Sequence, residues 1–401
     1  MSKRNLLIIG GSYEQKPLIK KAQELGYTTI VIDLNEEAPG YLLADHSRKI
    51  STTDIDGAIK IAKEFNVIGV LTNSSESAIV TVAEVSKALS LPGIPVEVAE
   101  CATDKELMKK KFKEFNLPTS DYIIATSLKE AKENILRLNL PAIIKPVDGA
   151  GSRGVLRIDN IEELDFAFNY SINYSKKKRC IIEEFVEGIE LSSDSMSYNG
   201  ETEVLAISDK EKYISDKNYV AMNIVYQARF SQKEIFIAKE LIKKVTKSVG
   251  IKEGPSHTEI IRKKENDFVV IETAARGGGF FTFSKVVPTI SGLDTLEQII
   301  NLAVGKPVDI KPKFNKGAVL RFLTADEGKI TSLSGLEEAK KVKGVIDVGF
   351  FLKVGDIVKK IEKDGDRIGY MIITGKNAQD AIQISDKIVN ILKVEIEPNY
   401  K

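Results

Sequence analysis

At 401 residues, with 43% hydrophobic and 29% charged side chains, the chain is long enough for two to four compact globular units. Its 58 Lys and Arg balance 57 Asp and Glu to a net charge of +1, which excludes the sequence-wide basic excess of a nucleic-acid or anionic-membrane binder. Cys101 and Cys180 are far apart and have no CxxC spacing, against a disulfide framework or a cysteine zinc site.

The opening apolar run, Leu6–Ile9, is too short for a signal peptide, and no stretch reaches membrane-spanning length, so a cytoplasmic location is expected. Leu6–Ile9 reads as a buried strand, followed by Gly10-Gly11-Ser12 and a helical pattern to Leu25-Gly26. A second strand, Thr28–Ile32, ends on Asp33, completing a βαβ unit. The turn reads GGSYEQ and not GxGxxG, so a nicotinamide site is weakly supported, although the turn can hold a small anion at the helix start. Val67–Leu71 and Ser77–Leu89 add a strand and a helix to this small parallel α/β domain, and His46 is placed in a polar surface loop.

Asp104 is an N-cap for a basic helix that ends near Phe115-Asn116. Lys105 sits in its first turn, where a cation opposes the helix dipole; an anionic ligand would explain it. The strand Pro141–Pro146 buries Lys145, an ammonium that needs a counter-charge. Next to it, Asp148–Val155 (DGAGSRGV) leads into the strand Val155–Ile158, giving either an ordinary hairpin loop or a flap whose amides wrap phosphates. No GK[ST] follows, so it is not a Walker A loop.

Cys180–Phe185 and Leu191–Tyr198 read as strands, with a hairpin turn at Asn199-Gly200. Ser208–Asn218 is polar without periodicity and is expected to be a loop; Gln232–Val249 is a long helix. Pro255–Gly279 then reads as a hairpin turning at Lys264–Asp267. Symmetric closure pairs Lys263 with Phe268, Ile261 with Val270 and Glu259 with Glu272. Like charges facing each other destabilise a strand pair unless a cation lies between them, and paired oxygen ligands suit Mg²⁺ carried by phosphates. A merely solvated acidic face is the other reading. Asp294–Val304 is helical; from Gly317 to Ile373 short strands alternate with glycine turns, and Asn377–Leu392 is an amphipathic helix carrying Ala381, Ile384, Ile388 and Ile391.

Taken in order, DKELMKKKF, PAIIKP, DGAGSRGV, IIEEFVEGIE and SHTEI with VIETAARGGG resemble the ATP-grasp superfamily over essentially the whole chain. SHTE and the E-x-A-A-R segment are most similar to carboxylate–amine ligases of the L-amino-acid (dipeptide) ligase type. The implied fold is α/β and α+β multidomain: a pre-ATP-grasp Rossmann-like domain over 1–95, a linker with the Lys105 helix over 96–117, a glycine-rich lid subdomain over 118–187, an ATP-grasp core with the metal site over 188–314, and a small C-terminal α+β domain over 315–401. By the resemblance, Lys105 and Lys145 bind ATP phosphates under a flap that includes Gly149, Gly151, Ser152 and Gly154. Glu183, Glu184, Phe185 and Val186 form the adenine hinge, and Glu190 takes the ribose. Glu259 and Glu272 hold Mg²⁺, with Mn²⁺ as an alternative, and Arg276 binds the transferring phosphate.

One position departs from the E-x-N-x-R pattern: Ala274 stands where many relatives place a metal-binding Asn, and His257, opposite it in the register above, could fill the space or be structural. The resemblance implies an ADP-forming ligase acting on small-molecule carboxylate and amine substrates, with no nucleic-acid or membrane partner and a homodimer as the default assembly. Three rivals stand beside it: a carboxylase-type enzyme acting on bicarbonate, a catalytically silent nucleotide-binding regulator, and a nicotinamide oxidoreductase.

Overall fold

The computed structural model describes residues 4–215 and 218–398. The chain opens with β1 (Asn5–Ile9), α1 (Lys16–Glu24), β2 (Thr28–Asp33), β3 (His46–Lys49), α2 (Ile55–Glu64), β4 (Gly69–Leu71) and α3 (Ile79–Ala88). The four strands form a parallel sheet in the order β3-β2-β1-β4. All of β1 is buried, and its alternate side chains enter two cores: Leu7 and Ile9 face α2 and α3, while Leu6 and Ile8 face Leu18, Ile19, Leu296 and Ile300. This second core also contains Phe283, Phe322 and Ile372, so it ties the α/β unit to the rest of the molecule.

Asp33 accepts from the Gly11 amide (2.8 Å) and from the Asn35 amide (2.9 Å), so its carboxylate stabilises its own turn instead of facing a dinucleotide ribose. His46 is not in a loop. It opens β3, a polar edge strand that hydropathy does not reveal, and its ring packs 4.9 Å from Phe65.

Next come α4 (Val96–Cys101) and α5 (Lys105–Glu114). Asp104 caps α5 through Oδ1 to the amides of Glu106 (2.9 Å) and Leu107 (3.2 Å). Its Oδ2 pairs with Lys177 (2.5 Å) and Arg179 (3.0 Å). The buried positions of α5 are Lys105, Met108, Lys109 and Phe112, one helical face that carries two lysines inward. A four-stranded antiparallel sheet follows, built from β5 (Tyr122–Ala125), α6 (Leu128–Asn134), β6 (Ala142–Pro146), β7 (Leu156–Ile158), α7 (Leu164–Asn173) and β8 (Cys180–Glu184), with strand order β5-β8-β6-β7.

The remaining elements are β9 (Ile189–Tyr198), β10 (Glu201–Ser215), β11 (Asn218–Tyr226), α8 (Gln232–Val249), β12 (Gly254–Lys264), β13 (Asp267–Ala274), α9 (Val287–Ser291), α10 (Thr295–Ala303), β14 (Gly317–Leu323), β15 (Gly328–Ser334), α11 (Leu336–Lys340), β16 (Val345–Phe350), β17 (Ile357–Val358), β18 (Gly369–Gly375), α12 (Ala378–Ile391) and β19 (Lys393–Glu397). One eight-stranded sheet, β13-β12-β9-β10-β11-β14-β18-β16, runs continuously across residue 315, while β17-β15-β19 form a separate small sheet. Asn199 and Gly200 both adopt positive φ (53° and 79°), as a type I′ hairpin between β9 and β10 requires.

The loop expected at Ser208–Asn218 is instead strand: β10 continues to Ser215 and pairs with β11, residues 216 and 217 lying outside the described region. Hydropathy misses this strand because both of its faces are polar. Lys210 and Lys212 are ion-paired on one, and Asp209 on the other is held by Arg229. The β12–β13 hairpin also departs from symmetric closure: Ile261 faces Val269 and Arg262 faces Phe268. Two compensating register shifts, one between Glu259 and Ile260 and one between Arg262 and Lys264, restore the pairing of Glu259 with Glu272.

Candidate active site

Around β13, β12, β9 and β10 the eight-stranded sheet has one greasy and one charged face. Leu191, Ile207, Ile260 and Val270 pack under α8 with Ala238, Leu241 and Ile242. On the other face, Glu272, Glu259, Ser192 and Ser208 stand in one row across β13, β12, β9 and β10. Ala274, His257 and Asp194 form the adjacent row, with His257 opposite Ala274 as symmetric pairing required.

Lys145 projects from β6 toward Glu183 of β8, Nζ to Oε1 2.7 Å. The same carboxylate receives Lys109 of α5 at Oε2 (2.6 Å) and a hydrogen bond from Ser120 Oγ (2.8 Å). Lys109 also donates to Thr119 Oγ1 (2.6 Å). Lys109, Lys145 and Glu183 are 1%, 7% and 3% exposed, so one buried carboxylate is shared by two buried ammoniums. Burial alone would raise the Glu183 pKa, but Lys109 and Lys145 hold it well below the usual carboxylate range. Burial lowers the Lys109 pKa against the pull of Glu183. It acts on Lys145 too, where Glu183 and Glu272 outweigh it and leave the pKa above normal.

Lys105 joins this group to the glycine turn and the acidic row. Its Nζ donates to the Gly149 carbonyl (2.7 Å) and lies 3.4 Å from Glu272 Oε2. Gly149 is required sterically: a Cβ there would come 2.4 Å from Pro146 Cγ. Gly151 and Ser152 both have positive φ (65° and 56°) in an exposed turn. Burial opposes ionisation of Glu272, yet Lys105 and Lys145 pull its pKa down to about 2.

The cross-strand partner of Glu272, Glu259, meets Lys210 at 2.5 Å through Oε1. Lys210 also reaches Glu190 Oε1 at 2.5 Å, and Lys212 pairs with Glu190 Oε2. Lys210 and Lys212 together overcome burial to bring the Glu190 pKa to about 2. Arg276 leaves the end of β13 and pairs through Nη2 with Glu76 Oε2 (2.9 Å), reaching across to the α/β unit, while Nη1 donates to the Gly277 carbonyl (3.0 Å). Its Nε is buried with no partner among the described residues. The Gly277 amide donates to the Asn73 carbonyl (2.9 Å), fixing the Arg276 turn against β4 and its following loop.

His257 turns Nδ1 toward Asp194 Oδ1 (3.3 Å), which also accepts from the Gly278 amide at 2.6 Å. A Cβ on Gly278 would stand 2.8 Å from Asp194 and 2.9 Å from His257 Nδ1, so the turn rests directly on this pair. The residues expected to form the adenine hinge divide. Glu183 faces the lysines, Glu184 accepts from the Asn139 amide (2.9 Å) and side chain (2.7 Å), and Phe185 lies under the Arg157 guanidinium at 4.4 Å; Val186 follows the end of β8.

Lys109, Glu76, Asp194, Lys210 and Lys212 were not singled out from the sequence. Lys109 was accessible as the i+4 neighbour of Lys105 on one helical face. The period-two spacing of Lys210 and Lys212 was hidden by reading their strand as a loop.

No three metal-ligating side chains cluster among the described residues. Glu259 and Glu272, two carboxylates on paired strands, offer hard oxygen donors of the kind that would suit Mg²⁺.

Comparison with known proteins bears on this arrangement. An ATP-grasp domain model matches residues 138–283, and a model for the L-amino acid ligase C-terminal domain 2 matches residues 321–397. An L-arginine-specific L-amino acid ligase of Bacillus subtilis is 25% identical over 72% of this chain and 70% of its own length. Among solved structures, phosphoribosylglycinamide synthetase from Anaerococcus prevotii is 26% identical with a TM-score of 0.78, covering 99% of this chain and all (100%) of that one. The L-amino acid ligase from Bacillus licheniformis shares the fold at 21% identity, with a TM-score of 0.82, 98% of this chain and 99% of that chain covered. The chain therefore carries an ATP-grasp domain over residues 138–283 and, over residues 321–397, a domain of the L-amino acid ligase C-terminal type.

Proposed function

We propose that this protein is an ATP-dependent, ADP-forming ligase that activates a small carboxylate, an amino acid or a related acid, and joins it to an amine. The observation that carries this reading is the Glu259–Glu272 pair, held in register on a charged sheet face with Lys105 beside Glu272 and Lys210 beside Glu259. ATP-grasp domains and ligases among the relatives support it at the level of reaction class.

In the proposed reaction a carboxylate oxygen attacks the γ-phosphorus, the bond to the β-phosphate oxygen breaks, and its electron pair leaves with ADP. The amine nitrogen then attacks the acyl carbon, the carbon–oxygen bond breaks, phosphate departs with that electron pair, and the amine proton is released. Magnesium, held by Glu259 and Glu272, would offset phosphate charge. Lys105 and Lys145 bind and orient the triphosphate, and the Gly149–Gly154 turn, tied to Lys105 through the Gly149 carbonyl, covers it and excludes water. Arg276, whose cationic form Glu76 favours against burial, stabilises charge on the transferring group.

The test is ADP release with MgATP against a panel of amino acids, singly and in pairs, with the amide identified by mass spectrometry. ADP formation that requires an acid and an amine together supports the ligase. Turnover with bicarbonate alone would point to the carboxylase reading. No ADP with any acid would sink both.

A further inference from the structure

Lys210 is the least expected part of this site. Its ammonium lies between two carboxylates from different strands, 2.5 Å from Glu190 Oε1 on β9 and 2.5 Å from Glu259 Oε1 on β12. Its side chain is 11% exposed, and burial, which disfavours the ammonium, is outweighed by Glu190 and Glu259. Glu190 has a second cation on its other oxygen, Lys212, whereas the one ion pair of Glu259 is with Lys210 among the described residues. The companion carboxylate, Glu272, lies 3.4 Å from Lys105. Both carboxylates assigned to the metal are thus engaged by lysines of the protein itself.

This arrangement sets a competition. A divalent cation that reaches Glu259 must share that carboxylate with, or displace, an ammonium 2.5 Å away, and like charges at such a distance repel strongly in a buried site. Lys210 can release Glu259 without becoming an unpaired buried charge, because Glu190 still holds it. A triphosphate entering beside Lys105 and Lys145 brings the negative charge that two cations side by side would need.

We propose that Lys210 is a gate on Glu259 that makes divalent-metal binding conditional on the nucleotide, so that the metal enters with the triphosphate and not before it. The proposal rests on the metal and nucleotide assignment above and adds an order of binding to it. Lys210 is a positioning residue here, acting through Glu259. Because linkage is reciprocal, the factor by which nucleotide raises metal affinity is also the factor by which metal raises nucleotide affinity.

The test is Mn²⁺ binding to the full chain, read from the enhancement of water-proton relaxation, which separates protein-bound Mn²⁺ from Mn²⁺ chelated by free nucleotide, with and without the imido analogue of ATP. Without nucleotide, Lys210→Met and Lys210→Gln are expected to bind Mn²⁺ about 5- to 150-fold more tightly than wild type, the range of ordinary coupling between sites. Lys210→Arg, which keeps the cation, should stay near wild type. With the analogue present the difference should largely close. Two variants of different polarity, each checked by far-ultraviolet circular dichroism, separate the gate from loss of fold. Equal Mn²⁺ affinity of wild type and folded Lys210→Met without nucleotide overturns the gate, as does a difference that the analogue leaves unchanged. Failure of wild type to bind Mn²⁺ even with the analogue overturns the metal and nucleotide assignment itself.

Discussion

Glu183→Gln removes one negative charge from between two ammoniums while keeping the side-chain shape. In the wild type, Lys109 and Lys145 stand 2.6 and 2.7 Å from the two oxygens of this carboxylate. With the charge gone, two buried cations roughly 5 Å apart repel by about 3 kcal/mol at an effective dielectric constant of about 20. Breaking a buried ion pair from one side costs a similar 3–5 kcal/mol, roughly speaking.

Urea unfolding at pH 7 should therefore show a midpoint lowered by the equivalent of about 3 kcal/mol, with part of the loss recovered by saturating MgATP, whose phosphates replace the missing charge. The pH dependence has a definite sign. The folded pKa of Glu183 is depressed, so its contribution is fully present above the unfolded carboxylate value of about 4.3 and fades as pH falls through the folded value. The gap between wild type and variant should be constant from pH 8 to 5 and shrink below that. A variant with the wild-type midpoint at pH 7 would refute the view that Glu183 is the counter-charge both lysines depend on.

Arg276→Ala should lower kcat by about 100-fold or more with little change in ATP affinity, measured by steady-state ADP release and equilibrium nucleotide binding, because its charge is matched to the transferring group. Gly149→Ala places a methyl 2.4 Å from Pro146 Cγ and should displace the turn that Lys105 anchors, raising the KM for ATP several-fold and lowering stability by about 1–3 kcal/mol. Asp104→Ala removes a helix cap and the ion pairs of its carboxylate with Lys177, which is half-exposed, and with Arg179, which keeps Glu106. A loss of about 1–2 kcal/mol in urea is expected, the upper part of the range for a lost cap.

The sequence by itself determined the local elements and the identity of most charged groups. Leu6–Ile9, the Asn199-Gly200 turn and Gln232–Val249 were legible because apolar period, turn chemistry and helix length are local properties. Glu259 facing Glu272 followed from counting outward from one polar turn, although the count passed through two shifts that happen to cancel. Only the tertiary structure decided what each charge meets. Glu183 looked like one acid in a hinge, but β6 and α5 bring Lys145 and Lys109 to it from 38 and 74 residues away in sequence. Lys210 looked like part of a polar loop, because a strand whose faces both carry ion pairs has no hydropathic period. Pairing of charges across strands and between separate units is a long-range property: it depends on which strand lies beside which, and no window of sequence records that.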